Sequence, residues 1–256
     1  MLSANIGIPY LWSMMLVTHA SHFLSTQLIR TLNQNNFNYW VAADQSDTLS
    51  LPQDVRVQQQ LTHEALSHWL NQRAAEVEYL FHLDSGDESD DSLFRWLWQQ
   101  GTDHQIPFTF RTTAARSSWI EQQESAPFCW AGLSFQDAFG PGDNGWVPRI
   151  LRSDGREDLL LPSSSEAQMM VYSKDVAAVC YHFVHHRTHS GTYSLDPSSD
   201  ASYSSVAQWV AHAQSGSRPE TTTVSPPPSL QAVGYKQPFF SLEAGVYDYV
   251  QNHLRG

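Results

Sequence analysis

Lysine is almost missing from this chain. Only Lys174 and Lys236 occur in 256 residues, and no tyrosine is followed four positions later by a lysine. Cysteine is equally scarce. Cys129 and Cys180 alone cannot build a disulfide framework, and their apolar surroundings predict reduced, buried thiols in a strand and a helix. No apolar run reaches the roughly 20 residues that cross a bilayer. No basic segment precedes an apolar one at the start of the chain, so the sequence predicts neither a signal peptide nor membrane insertion, and a cytoplasmic location. Basic residues number 14 against 26 acidic ones, a formal charge of −12, which argues against nucleic acid and anionic membranes as partners.

Glycine is absent where one loop would need it. An apolar strand, Met14–Thr18, enters the run His19-Ala-Ser-His22-Phe-Leu-Ser25, and an amphipathic segment with Phe23, Leu24, Leu28, Ile29 and Leu32 leaves it. A second strand, Tyr39–Ala43, ends on Asp44, where an acidic residue would meet an adenosine ribose. These are the flanks of a dinucleotide-binding loop, with His19, His22 and Ser25 at the three glycine positions. Each glycine there has a steric role: a tight turn, close approach of the pyrophosphate, and close packing of helix on strand. A non-glycine residue held at positive φ costs roughly 1–2 kcal/mol, and its Cβ fills space the phosphates need.

Periodicity predicts strands at 12–18, 37–43, 77–83, 106–112, 129–138, 169–173 and 191–195. It predicts helices at 23–34, 62–73, 91–100, 145–153, 174–187, 202–214 and 240–254. Such alternation predicts an α/β fold with a parallel, Rossmann-like sheet flanked by helices. Residues 1–13 read as an N-terminal arm and 14–141 as a shortened Rossmann-like domain. Residues 142–256 read as a mixed segment carrying a small C-terminal substrate-like lobe, with some elements returning to the first domain. Residues 215–229 read as an extended connection.

Several segments then occur in a telling order: Thr18 and Phe23 around the loop, Val77–Leu83, Ile106–Ala115, Gly132–Pro141, Trp146–Arg152, Val171–Ala177, Ser190–Leu195, Gly234-Tyr-Lys-Gln-Pro-Phe, and Glu243-Ala-Gly-Val246. Together they resemble the extended short-chain dehydrogenase/reductase family, specifically its NAD-dependent epimerase/dehydratase members, and among those the ADP-glycero-manno-heptose 6-epimerases most. The resemblance covers most of the chain and implies a nucleotide-sugar enzyme.

The departures fall on the functional positions. Catalysis in that family uses Tyr-x-x-x-Lys, the lysine lowering the tyrosine pKa for proton exchange. Here the dyad is missing, and the interval 115–132 looks too short to hold its helix. Thr112 or Thr113 stands at the catalytic serine position, and Gln168 stands where an arginine would grip the substrate diphosphate. The vestigial cofactor positions are therefore Thr18, His19, His22, Ser25 and Asp44. No cofactor is expected, and NAD(P) only if the altered loop still admits it.

Other clusters are read more plainly. His182, His185, His186 and His189 share helical spacing but lack a supporting glutamate motif, so they read as a helix end and no metal is expected. The acidic run Asp84–Asp91 reads as a solvated loop and helix start, or as a cation or basic-partner patch. Leu93, Phe94, Trp96, Leu97 and Trp98 cover more than one face of a short helix. They either refill the core or present an interface for a protein partner or self-association. Three functional readings follow: a non-catalytic binding, scaffold or regulatory protein; a nucleotide or nucleotide-sugar sensor; and an NAD(P)-dependent epimerase or reductase with relocated catalytic residues.

Overall fold

The computed structural model describes residues 14–43, 60–85, 91–123, 125–152, 167–196 and 201–254. The first strand, β1 (Met14–Thr18), is almost wholly buried, as expected of an apolar strand covered on both faces. It passes through a four-residue turn into α1 (Phe23–Gln34), followed by β2 (Asn38–Ala43) and β3 (Gln60–Thr62). Thr62 caps α2 (His63–Arg73), its side chain accepting from the Ala65 amide, and β4 (Val77–His82) follows. Next come α3 (Asp91–His104), β5 (Phe108–Arg111), α4 (Ala114–Glu121) and β6 (Trp130–Ser134).

These strands, with β10 (Gly191–Ser194), form a seven-stranded sheet in the order β10-β6-β5-β4-β1-β2-β3. All its pairings are parallel. The order reverses direction at β1, because α1 lies on one face and α2, α3 and α4 on the other. Met15 and Val17 join the core beneath α1 and α6 (Ser173–His185), while Leu16 joins the opposite core with Phe94, Leu97 and Phe108.

A smaller lobe is built from β7 (Asp137–Phe139), α5 (Trp146–Arg152), β8 (Ala167–Gln168), β9 (Met170–Tyr172) and β11 (Ala201–Ser202). It continues with α7 (Tyr203–Ser215) and α9 (Leu242–Tyr249), while β12 (Thr223–Val224), α8 (Pro228–Ala232) and β13 (Phe239–Phe240) bring Val224, Leu230 and Phe239 to the core beneath α1 and α6. Its core gathers Phe139, Trp146, Tyr172, Val206, Val210, Val246 and Tyr249.

Three expectations need correcting. The strand read at 129–138 breaks at Phe135, because Asp196 takes the Gln136 amide at 2.8 Å and β7 pairs with β9 instead. The helix thought too short to form after β5 exists as the eight residues of α4. Thr113 caps it, accepting from the Arg116 amide at 3.2 Å. Cys129 lies just before β6 and is only half-buried, whereas Cys180 is fully buried inside α6, and neither forms a disulfide. The short pairs β3, β12 and β13 escape periodicity because two or three residues carry no period.

One buried carboxyl ties α6 to β13. Asp175 accepts from the Phe240 amide at 3.2 and 3.3 Å. Burial pushes its pKa up to about 8, against the pull of that amide and of Lys174. Because the folded value lies above the unfolded one, its contribution to stability is complete below about pH 4 and is lost as pH rises toward 8. Asp175→Asn keeps an acceptor oxygen and removes this titration. Urea denaturation at several pH values should show the variant gaining on the parent by at least about 1 kcal/mol between pH 4 and 8. Parallel pH profiles would show that the carboxyl is not held neutral.

Candidate functional site

In an open parallel sheet the natural ligand crevice lies beyond the carboxyl ends of the strands, where the strand order reverses. Here that point lies between β1 and β4. Thr18 ends β1 and His82 ends β4, and the Thr18 Oγ1 sits 2.8 Å from His82 Nδ1 and 3.0 Å from the Phe81 carbonyl. Both side chains are fully buried.

The turn after β1 keeps a glycine-like backbone without glycine. His19 has φ +50°, in the left-handed region, and its carbonyl accepts from the His22 amide at 2.9 Å. The His19 ring meets the His82 ring edge-on at 4.9 Å between centroids, so it points into the crevice. Burial holds the His22 pKa down at about 4, with Arg111 adding to the effect, so this imidazole is neutral near pH 7. Ser25, at the third glycine position, donates to the carbonyls of Thr18 and Leu83, both at 3.2 Å, and links the ends of β1 and β4. Asp44 lies outside the described residues.

Beyond the imidazoles the crevice holds a buried ion network. Asp84 follows β4 with 2% of its side chain exposed, and Arg116 in the first turn of α4 has none exposed. The Arg116 guanidinium donates to Asp84 Oδ1 at 3.1 Å and Oδ2 at 2.5 Å, to Asp91 Oδ1 at 3.0 Å, and to the Arg111 carbonyl at 2.8 Å. His82 Nε2 lies 3.2 Å from Asp84 Oδ2. Burial alone would raise the Asp84 pKa. Hydrogen bonds from His82 and Arg116, with the Arg116 charge, outweigh it and hold the carboxylate well below its usual range. Burial likewise holds His82 down, only partly opposed by Asp84. His82 is thus neutral.

The network revises the reading of the acidic run. Asp84 is an interior ion-pair partner, not a solvated patch, while Asp91 lies in the first turn of α3, where its charge also suits the helix dipole. The hydroxyls at the serine position are taken up locally. Thr112 Oγ1 lies 3.1 Å from Ser117 Oγ, and Thr113 caps α4.

Of the two readings of the aromatic cluster, burial favours the core for three of its members. Phe94, Leu97 and Trp98 are at most 5% exposed and refill the sheet face beside the short α4, with Phe110, Trp119 and Phe128 around them. Leu93 and Trp96 are half-buried at its rim. Among the described residues the only exposed large hydrophobics are Met169 and Leu254, so this face offers no broad apolar patch. Of the histidines on and just after α6, His182 and His186 stack at 4.0 Å and His182 Nε2 contacts the Val233 carbonyl. Their donors do not converge with a third ligand among the described residues.

No family model matches the chain. A curated relative, the ADP-L-glycero-D-manno-heptose-6-epimerase of Fusobacterium nucleatum, is 24% identical over 177 residues, 53% of this chain and 52% of that protein. The chain thus matches about half the length of that curated relative. Among solved structures, the ADP-L-glycero-D-manno-heptose-6-epimerase of Helicobacter pylori superposes with a TM-score of 0.71 at 15% identity, covering 96% of this chain and 97% of that one. The fold is that of the nucleotide-sugar epimerases. The UDP-N-acetylglucosamine 4-epimerase of Bacillus cereus gives a TM-score of 0.69 at 14% identity, over 95% and 100% of the two chains. The UDP-glucose 4-epimerase of Thermotoga maritima, solved with UDP-glucose, gives 0.67 at 16%, over 94% and 98%.

The cofactor suggested by this epimerase fold does not fit the crevice as built. The half-buried His19 and His22 rings stand at the loop positions where a pyrophosphate would approach the backbone, and Arg116 is committed to two carboxylates. The loop residues were legible in the sequence. Arg116 was missed, although a parallel sheet brings an acidic residue just after β4 and an arginine just after β5 to the same edge.

The ion pair should behave as a unit. Asp84→Asn and Arg116→Met should each cost about 3–5 kcal/mol in urea denaturation, since each strands a buried charge or donor. The double variant should cost at least about 2 kcal/mol less than the sum. Additive losses would mean that the two side chains do not pair.

Proposed function

We propose that this protein is a non-catalytic relative of the nucleotide-sugar epimerases that works as a binding, scaffold or regulatory protein. The observation that carries this reading is the fully buried Arg116, clamped to Asp84 and Asp91 in the crevice where a dinucleotide epimerase would hold its cofactor. The missing Tyr-x-x-x-Lys supports it, because no phenolate-lysine pair is available to exchange a proton with a sugar hydroxyl. Tyr172 and Lys174 do meet at Asp248, at 2.5 and 2.6 Å, but Tyr172 ends β9 and Lys174 lies in the first turn of α6, not four residues apart on one helix, and burial drives the Tyr172 pKa upward, away from a phenolate. Contact with a protein partner or a second copy would use the acidic surface and the rim around Leu93 and Trp96, since Phe94, Leu97 and Trp98 are enclosed.

Purified protein incubated with NAD(H) or NADP(H) and with UDP- and ADP-sugars should yield no cofactor reduction and no epimerised sugar above a protein-free blank. Turnover that disappears in Thr112→Ala or Thr113→Ala would overturn the reading. Turnover that survives both substitutions would point to a contaminating enzyme.

A further inference from the structure

We propose that His19, His82 and Asp84 form a binding site for one divalent transition-metal ion, zinc foremost, at the carboxyl edge of β1 and β4. The proposal rests on the preceding reading that this crevice no longer serves a dinucleotide. One donor atom from each residue lies within 4.8 Å of the other two. His82 Nε2 and Asp84 Oδ2 are 3.2 Å apart, close to the separation of about 3.3 Å between tetrahedral ligands bound at 2.0–2.1 Å. Two imidazoles and a carboxylate are a donor set that suits zinc and disfavours calcium or magnesium.

The outer contacts also fit a metal centre. The Thr18 hydroxyl engages His82 Nδ1 at 2.8 Å, which fixes the ring and directs Nε2 toward Asp84. A ligating histidine is usually held through its other nitrogen in this way. Arg116 holds both carboxylate oxygens, Oδ1 at 3.1 Å and Oδ2 at 2.5 Å, so the ion would share Oδ2 with the guanidinium. His19 is the only one of the three with appreciable exposure, so an ion would enter beside it. Its ring already faces His82 from a turn that holds the backbone at φ +50°. The positive charges of Arg116 and Arg111 are opposed by Asp84 and Asp91, so the pocket is near neutral before the ion arrives, and moderate affinity is expected.

The test strips the full chain with a chelator, then titrates it with Zn²⁺ by calorimetry and with Co²⁺ by visible absorption. One ion per chain is expected, with the intense absorption of tetrahedral cobalt. His19→Gly should weaken binding at least tenfold while leaving the metal-free melting temperature unchanged or higher, because the turn suits glycine. Thr18→Val should weaken it by about 10- to 100-fold. His186→Ala, just after α6, should have no effect.

Absence of binding, indifference to His19→Gly, or loss of binding in His186→Ala would overturn the site. If neither zinc nor NAD binds, the metal site fails and the non-catalytic reading stands. If NAD binds and zinc competes with it, the site stands and that reading fails.

Discussion

The bidentate grip of Arg116 on Asp84 is the constraint on which the candidate site depends. Two charges with at most 2% exposure have given up their hydration, and such a pair persists only when geometry and further hydrogen bonds compensate. Here they do. Asp91 and the Arg111 carbonyl take the remaining guanidinium donors, and His82 approaches the shared carboxylate oxygen. The result joins the ends of β4 and β5 to the starts of α3 and α4. It also explains how an eight-residue α4 stays in place, since Arg116 anchors its first turn while Trp119 packs on Phe94 and Trp98.

Glycines divide by what they are for. Gly140 and Gly245 belong to segments that resemble the epimerase family, and both remain. A Cβ on Gly140 would sit 2.0 Å from Ser173 Oγ, and one on Gly245 would sit 2.8 Å from the Phe139 ring. These positions let the chain after β7 and the helix α9 pack closely against β9, the start of α6 and Phe139. The three loop positions, which in a dinucleotide protein serve the approach of a ligand, carry His19, His22 and Ser25 instead. His19 keeps the left-handed turn at a backbone cost of roughly 1–2 kcal/mol.

Much of the fold was legible because it rests on local periodicity. The boundaries of α1 follow from the apolar spacing of Leu24, Leu28, Ile29 and Leu32, and the alternation of strands and helices predicts the parallel sheet. What was not legible depends on contacts distant in sequence. Asp84 reads as part of a solvated acidic run until β5 places Arg116 beside it, 32 residues away. Trp98 reads as either core or interface until the short α4 is seen to leave a sheet face for it to fill. The break at Phe135 depends on Asp196, 60 residues from the amide it receives at Gln136.

The most direct measurement is a calorimetric titration of the purified chain with NAD⁺ and NADH, paired with thermal unfolding in the same ligands. A crevice occupied by His19, His22 and the Arg116 network predicts no saturable heat and no shift in Tm. A ligand present at 100 times its Kd would add about 2.7 kcal/mol of stability, which unfolding readily detects. Saturable one-to-one binding in the micromolar range, with a matching rise in Tm, would contradict the account.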